Sequence, residues 1–336
     1  MITRRRFVKD MALAGAAGAL GYGRELFAAE PPPEMTSLRL GKLSSLCVSP
    51  QYVAEDLLRA EGFTNVQYVG DSQSSSGVPG AQAMGAGQFD ISMNFAAPLV
   101  IALDKGTPIV LLAGVHAGCF ELFATDGVRS IGDLRGRTVT APGTASIPHV
   151  FLSSVATSVG LDPDKDIKWV MAPSEEGKKL LAEGKVNAML AFPPDPQELR
   201  ARRVGRVILN SATERPWSQY FCCLVAANRD FARKHPVAAK RAVRAILKAS
   251  EICAAEPERA TKAYTNQGFA PNPELARQAV KEVPFGRWRE YNPEETVRFY
   301  ALRLREANMV KSAPQKLIAQ GTDWRFLNEL KKELKA

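Results

Sequence analysis

The run Gly143-Thr144-Ala145-Ser146 follows an apolar strand pattern, Thr138 to Ala141, and opens a helical one. Gly143 lets the chain turn sharply, and Thr144 and Ser146 are residue types that favour helix N-caps. A helix start leaves backbone N–H groups free and carries a partial positive charge. Strand, small polar loop and helix therefore make a site for an anion or a carbonyl group. Covalent chemistry has weaker support. There are three histidines, His116, His149 and His235, and no H-E-x-x-H, C-x-x-C or G-x-S-x-G. The strongest zinc and hydrolase signals are absent, so no catalytic residue, metal or cofactor is expected.

The five cysteines are Cys47, Cys119, Cys222, Cys223 and Cys253. A cysteine is often a small buried hydrophobe. Cys222 and Cys223 alternate faces of a strand, so both do not easily reach one metal. Cys253 sits mid-helix and reads as core. A Cys47–Cys119 disulfide is compatible with an oxidising compartment but cannot be read from spacing.

With 336 residues the chain can bury one large core or two smaller ones. Its net charge of +9 comes without a dense basic tract interleaved with aromatics, so nucleic-acid binding is not supported. Residues 1–29 read as an export signal. Thr3-Arg4-Arg5-Arg6-Phe7-Val8-Lys9 resembles a twin-arginine motif, and the Ala- and Gly-rich run after it is too short and too weak to span a membrane. Ala28 and Ala29 offer a cleavage site, and Pro31-Pro32-Pro33 falls in an extended linker, 30–37.

Strand and helix signals then alternate, which predicts an α/β fold with parallel sheets. Strands are expected at Leu38 to Leu43, Asn65 to Val69, Ile91 to Met93, Ile109 to Ala113, Ile167 to Met171 and Val207 to Leu209. Ile109 to Ala113 is a continuous apolar run, as a parallel strand buried on both faces would be. Beyond Val237 the pattern is mostly helical, with Pro257, Pro273 and Pro293 at helix starts. Phe120 to Ala124 and Tyr220 to Ala226 read as short apolar strands, and the family resemblance described below makes them two crossings between lobes. Glu121, inside the first, needs a partner if buried: an arginine of the other lobe, or a donor group of a ligand.

Several motifs carry a family resemblance. Ser130-Ile131-Gly132-Asp133-Leu134-Arg135-Gly136-Arg137-Thr138-Val139 followed by Pro142-Gly143-Thr144-Ala145-Ser146 resembles the second-lobe entry of periplasmic solute-binding proteins of the nitrate/sulfonate/taurine type. Gly87-Gln88-Phe89-Asp90-Ile91 is similar to their G-x-F-D-I strand, and Gly106-Thr107-Pro108-Ile109 to their G-x-P-I pattern. Lys185 to Pro194 is similar to a third strand of theirs, with Asn187 where Asp is usual.

The resemblance, over roughly Leu38 to Phe326, implies a two-lobed periplasmic-binding-protein fold of type II: parallel-rich sheets, flanking helices and a two-strand hinge. Lobe 1 would take 38–120 and 225–336, and lobe 2 would take 121–224. It implies an extracytoplasmic receptor, monomeric, which hands a small organic solute to an ABC transporter permease and does no catalysis. Ligands of such sheets bind beyond the carboxyl ends of strands. That places Ser44, Ser45, Cys47, Asn94, Phe95, His116, Thr144, Ala145, Ser146 and Phe192 around one cleft. Trp217 and Tyr220 either cover the ligand's apolar body or are ordinary surface and core aromatics. His149 either reaches the cleft or packs on the lobe. Two other functions stand beside transport. Pyrimidine-precursor synthases of thiamine biosynthesis share the resemblance, but Phe221-Cys222-Cys223-Leu224 does not reproduce their C-C-C-F-C motif. A periplasmic sensor receptor would look the same in sequence.

Overall fold

Strand β1, Ser37–Gly41, is followed by a single 3-10 turn, Leu46–Val48, and helix α1, Ser49–Ala60. β2 (Asn65–Val69), α2 (Gly77–Gly85), β3 (Ile91–Phe95), α3 (Ala96–Asp104) and β4 (Ile109–Ala117) continue the alternation. β5 (Glu121–Ala124), β6 (Thr138–Ala141), α4 (Ile147–Ser158), the one-turn α5 (Pro163–Asp166), β7 (Lys168–Met171), α6 (Ser174–Ala182), β8 (Ala188–Ala191), α7 (Asp195–Ala201) and β9 (Arg206–Asn210) follow. After β10 (Phe221–Asn228) the chain is helical: α8 (Arg229–Lys234), α9 (Pro236–Ala255), α10 (Pro257–Thr265), α11 (Pro273–Glu282), α12 (Pro293–Glu306), α13 (Pro314–Gly321) and α14 (Arg325–Glu333). These elements come from a computed structural model that describes residues 30–71 and 74–334; the expected export signal, 1–29, lies outside the described residues. The chain from Pro33 onward makes up one compact unit.

Two five-stranded sheets result, ordered β2-β1-β3-β10-β4 and β7-β6-β8-β5-β9. They share one pattern. β1 is parallel to β2 and β3, and β6 is parallel to β7 and β8. The strand that arrives from the other sheet runs against its neighbours. β10 is antiparallel to β3 and β4, and β5 is antiparallel to β8 and β9. The expected parallel ladder for Ile109 to Ala113 is therefore not what forms: β10 enters between β3 and β4 and pairs β4 antiparallel. The complete burial expected of that run is present, because α9, α13 and α14 cover β4.

β10 lies whole in the first sheet, from Phe221 opposite Ala117 onward. A division at 224/225 cuts through it, and the return to the first sheet precedes Phe221. The crossing segments are Gly118 to Phe120 and Ser211 to Tyr220. They are tied together: the Ser211 hydroxyl oxygen accepts from the Cys119 and Phe120 N–H groups at 3.1 and 2.8 Å, and the Ser211 N–H donates to the Phe120 carbonyl at 2.9 Å. A methyl group on Gly118 would sit 2.2 Å from the Ser211 carbonyl oxygen, so only glycine fits this approach. The linker is anchored too. Glu34 accepts from the Val237 and Ala238 N–H groups at 2.9 and 2.8 Å and so caps α9. Those two bonds hold its carboxyl below the usual range, although partial burial pushes the other way.

Candidate functional site

A cavity of about 360 Å³ lies where the two sheets face each other. Its walls come from the carboxyl ends of parallel strands: Leu43, Ser44, Ser45, Cys47 and Val48 after β1, Asn94 and Phe95 at the end of β3, Pro142, Gly143, Thr144 and Ser146 to Pro148 after β6, Pro173 and Ser174 after β7, and Phe192 after β8. Ser76, Pro79, Phe120 and Cys223 complete them. No lining residue carries a formal charge.

Five helices begin at this cavity. Their N-cap residues, Val48 of α1, Ser76 of α2, Phe95 of α3, Ser146 of α4 and Pro173 of α6, all line it, and none caps its helix with its own side chain. Side-chain caps occur only on helices away from the cavity, at four of their starts among the described residues. Asp162, Asn228, Asn272 and Asn292 cap α5, α8, α11 and α12 with their side chains. Uncapped starts leave N–H donors unsatisfied and aim positive helix ends at one space. The Ser146 hydroxyl oxygen is buried there without a hydrogen-bond partner.

Neighbouring polar groups hold the walls. Gln51 clamps the two central strands, donating to the Gly41 carbonyl at 2.8 Å and accepting from the Met93 N–H at 3.1 Å. Tyr52 donates to the Leu43 carbonyl at 2.7 Å and accepts from the Leu43 N–H at 2.8 Å; burial pushes its phenol up to about 12. Asn94 spends its amide on the scaffold, donating to the Gly77 carbonyl at 3.2 Å and accepting from the Phe95 N–H at 2.8 Å. Across the cavity mouth, the Leu46 N–H donates to the Pro193 carbonyl at 3.1 Å, linking loops of the two sheets.

Of the residues expected around the cleft, Ser44, Ser45, Cys47, Asn94, Phe95, Thr144, Ser146 and Phe192 line this cavity. Four stand apart from its lining. Ala145 adopts a left-handed conformation, φ 64°, next to Gly77. His116 is fully buried on β4. Trp217 is buried against Phe151 and Phe299, at 5.1 and 5.3 Å between rings. Tyr220 stacks on Phe299 at 4.0 Å. Both aromatics pack on Phe299 of α12. His149 packs on Trp169 at 4.6 Å rather than in the cavity. Ser76, Ser174 and Cys223 went unread. Ser174 has the strand–loop–helix context that singled out Ser146, so the signal was there; for Cys223 strand pairing alone brings it in.

Glu121 is paired with Arg200 of α7, which also meets Glu282 of α11. Its arginine thus comes from the same side of the crossings, not from the other lobe as expected, since α7 connects β8 and β9, the two strands that flank β5. Glu121 lines a second cavity of about 230 Å³ together with Gln197.

All five cysteines are buried and free, so the Cys47–Cys119 disulfide is not formed. The sulfurs of Cys119 and Cys222 lie 3.3 Å apart, and Ser45 Oγ lies 3.0 Å from Cys47 Sγ. Among these thiols Cys47 ionises most readily, because Cys119 and Cys223 can both donate to its sulfur. Burial pushes Cys119 and Cys222 up.

The whole architecture has relatives among solved structures. The chain is similar to the alkanesulfonate-binding protein of Xanthomonas axonopodis pv. citri, bound to MOPS, at 17% identity and a TM-score of 0.69, covering 88% of this chain and 100% of that one. It is similar to the periplasmic nitrate-binding protein of Synechocystis at 13% identity and a TM-score of 0.73, covering 91% and 90%. The periplasmic aliphatic sulphonate binding protein of Escherichia coli superposes at 15% identity and a TM-score of 0.67, covering 84% and 92%. At these identities the likeness establishes the periplasmic-binding-protein fold. No curated protein matches the chain by sequence. The model of the NMT1-like family matches residues 31–267, well over half of the chain, and the protein is therefore a member of the NMT1-like family.

Proposed function

We propose that the protein is an extracytoplasmic receptor that binds a small organic anion between its two sheets and delivers it to an ABC importer. The observation that carries this reading is the convergence of five uncapped helix N-termini on one cavity without a charged side chain. N–H groups and helix dipoles can hold an anionic head without a counter-ion. Thr144 and Ser146 meet the head, and Ser44, Ser45 and Ser76 add hydroxyl groups. Phe95, Phe120 and Phe192 cover an apolar body, as pockets that are mostly apolar with a few orienting groups do. The cavity volume suits a molecule of sulfonate or aromatic-acid size. The named neighbours bind sulfonates and nitrate, which supports an anion and leaves its identity to experiment.

Export by the twin-arginine route, a permease partner and a monomeric state belong to the same proposal. The protein carries its ligand unchanged, as a receptor rather than an enzyme. A thermal-shift screen of the mature chain over nitrate, alkanesulfonates, taurine, aromatic carboxylates and pyrimidines tests it. An organic anion should raise the melting temperature, and Thr144→Leu, which fills the space for the head, should abolish the rise. Stabilisation by neutral or cationic compounds alone would overturn the reading.

A further inference from the structure

Beneath the polar loops, the cavity floor carries a group of soft ligands. One ring nitrogen of His116 and the sulfurs of Cys47 and Cys223 all lie within 4.8 Å of one another. They come from three elements. His116 is on β4, Cys223 lies opposite it on β10, and Cys47 is in the 3-10 turn after β1. The β10 ladder shifts register on both sides of Cys223. Such irregularities re-aim side chains.

The histidine is oriented for coordination. Its Nδ1 faces the Ala117 carbonyl at 2.9 Å. A carbonyl only accepts, so Nδ1 carries the proton and Nε2 keeps its lone pair. Nε2 is buried and has no hydrogen-bond partner. A ring N–H bound to a backbone carbonyl, with the other nitrogen free, is the arrangement found in metal-ligating histidines. A buried lone pair left unpaired otherwise costs free energy.

We propose that Cys47, His116 and Cys223 form a zinc site, with three protein ligands and a fourth position open to the cavity. Two thiolates and an imidazole are the donor types that zinc prefers, and three protein ligands leave a place for a small molecule. A tetrahedral zinc with Zn–S near 2.3 Å and Zn–N near 2.0–2.1 Å places its ligands roughly 3.5–3.8 Å apart. Closing from within 4.8 Å to that spacing takes about an ångström of side-chain movement. The ion enters from the cavity, because Cys47 and Cys223 line it while His116 lies behind them. Ser45 Oγ, 3.0 Å from Cys47 Sγ, supports that sulfur from the outer side. The open position faces the space where the uncapped helices begin, so a bound anion can complete the coordination.

The site does not depend on the anion-receptor reading, and the experiment keeps the two apart. The reduced, chelator-stripped mature chain is titrated with Co²⁺ and with Zn²⁺ in the absence of any organic solute. One Co²⁺ per chain should bind, with a thiolate-to-cobalt charge-transfer band and the intense visible bands of a tetrahedral ion, and Zn²⁺ should displace it. Cys47→Ser and Cys223→Ser should each weaken binding by more than about tenfold, since loss of an orienting partner alone costs about 10–100-fold. Cys253→Ser, in the α9 core, should bind as wild type does. A second measurement needs no variant: Zn²⁺ should protect Cys47 and Cys223 of the wild-type chain from alkylation, read by peptide mass spectrometry, and leave Cys253 unaffected. Absence of metal binding by the reduced wild type overturns the proposal. So does binding that survives both serine variants, or labelling of Cys47 and Cys223 that Zn²⁺ does not change.

Discussion

On the proposed reading, the Ser146 hydroxyl is kept for the ligand. Its oxygen is buried at the start of α4 and bonds to nothing in the protein. Ser146→Ala should therefore leave the melting temperature of the free chain unchanged. It should weaken anion binding by about 0.5–1.5 kcal/mol, one neutral hydrogen bond. Calorimetric titration beside a thermal melt separates the two; a variant that melts lower and binds equally well would make Ser146 structural. His149 has the opposite character. Burial against Trp169 holds its pKa below the ordinary 6.5, with Asp164 partly opposing. As pH falls through 6.5 the unfolded chain takes up a proton that the folded chain resists, so the unfolded state binds more protons and stability drops. The contribution is complete above that pH and is lost as pH falls through the folded value. Wild type should lose more stability than His149→Phe on going from neutral pH to about 5.5, measured by urea unfolding at each pH.

At the scale of elements, the site is a set of strand ends and helix starts held in register by few groups. Gln51 joins α1 to β1 and β3. Gln51→Leu strands the Gly41 carbonyl and the Met93 N–H, and at about 1–3 kcal/mol for each buried orphan it should destabilise by about 2–6 kcal/mol in urea unfolding. This clamp was not legible in sequence, because nothing local marks a buried glutamine inside a helix. The loops themselves were legible. A strand pattern, a small polar loop and a helical pattern mark a strand end, and each such place except that after Gly114 proved to face the cavity. The exception is instructive. β4 runs on through His116 as far as Ala117, because β10 pairs it along its full length, so His116 lies behind the cavity wall.

At the scale of the whole molecule, the two crossings join the sheets and are bonded to each other. Gly118 touches the Ser211–Ala212 backbone, and the Ser211 hydroxyl joins the strands that leave and return. Gly118→Ala places a methyl group inside that contact, against backbone that cannot rotate away. It should cost at least about 3 kcal/mol, the upper range for overpacking, read as a fall in the urea midpoint. If the crossings act as a hinge, the anion should reduce the radius of gyration in small-angle scattering. At a hundredfold excess over Kd it should also add about 2.7 kcal/mol of stability by mass action.

The alternation of strand and helix signals, the motifs after β6 and β3, and the loops that end in Ser-Ser, Asn-Phe and Gly-Thr-Ala-Ser were all determined by local sequence. Their periodicity and turn chemistry act over a few residues. What the tertiary structure decided is pairing at a distance. Insertion of β10 between β3 and β4 reverses the local ladder and sets Cys223 opposite His116, 107 positions earlier in the chain. Packing on α12 turns Trp217 and Tyr220 away from the cavity, and α7 rather than the other side of the crossings supplies the arginine for Glu121. Aromatic and charged side chains satisfy themselves with whichever neighbour the fold brings near, and only the assembled sheets specify that neighbour.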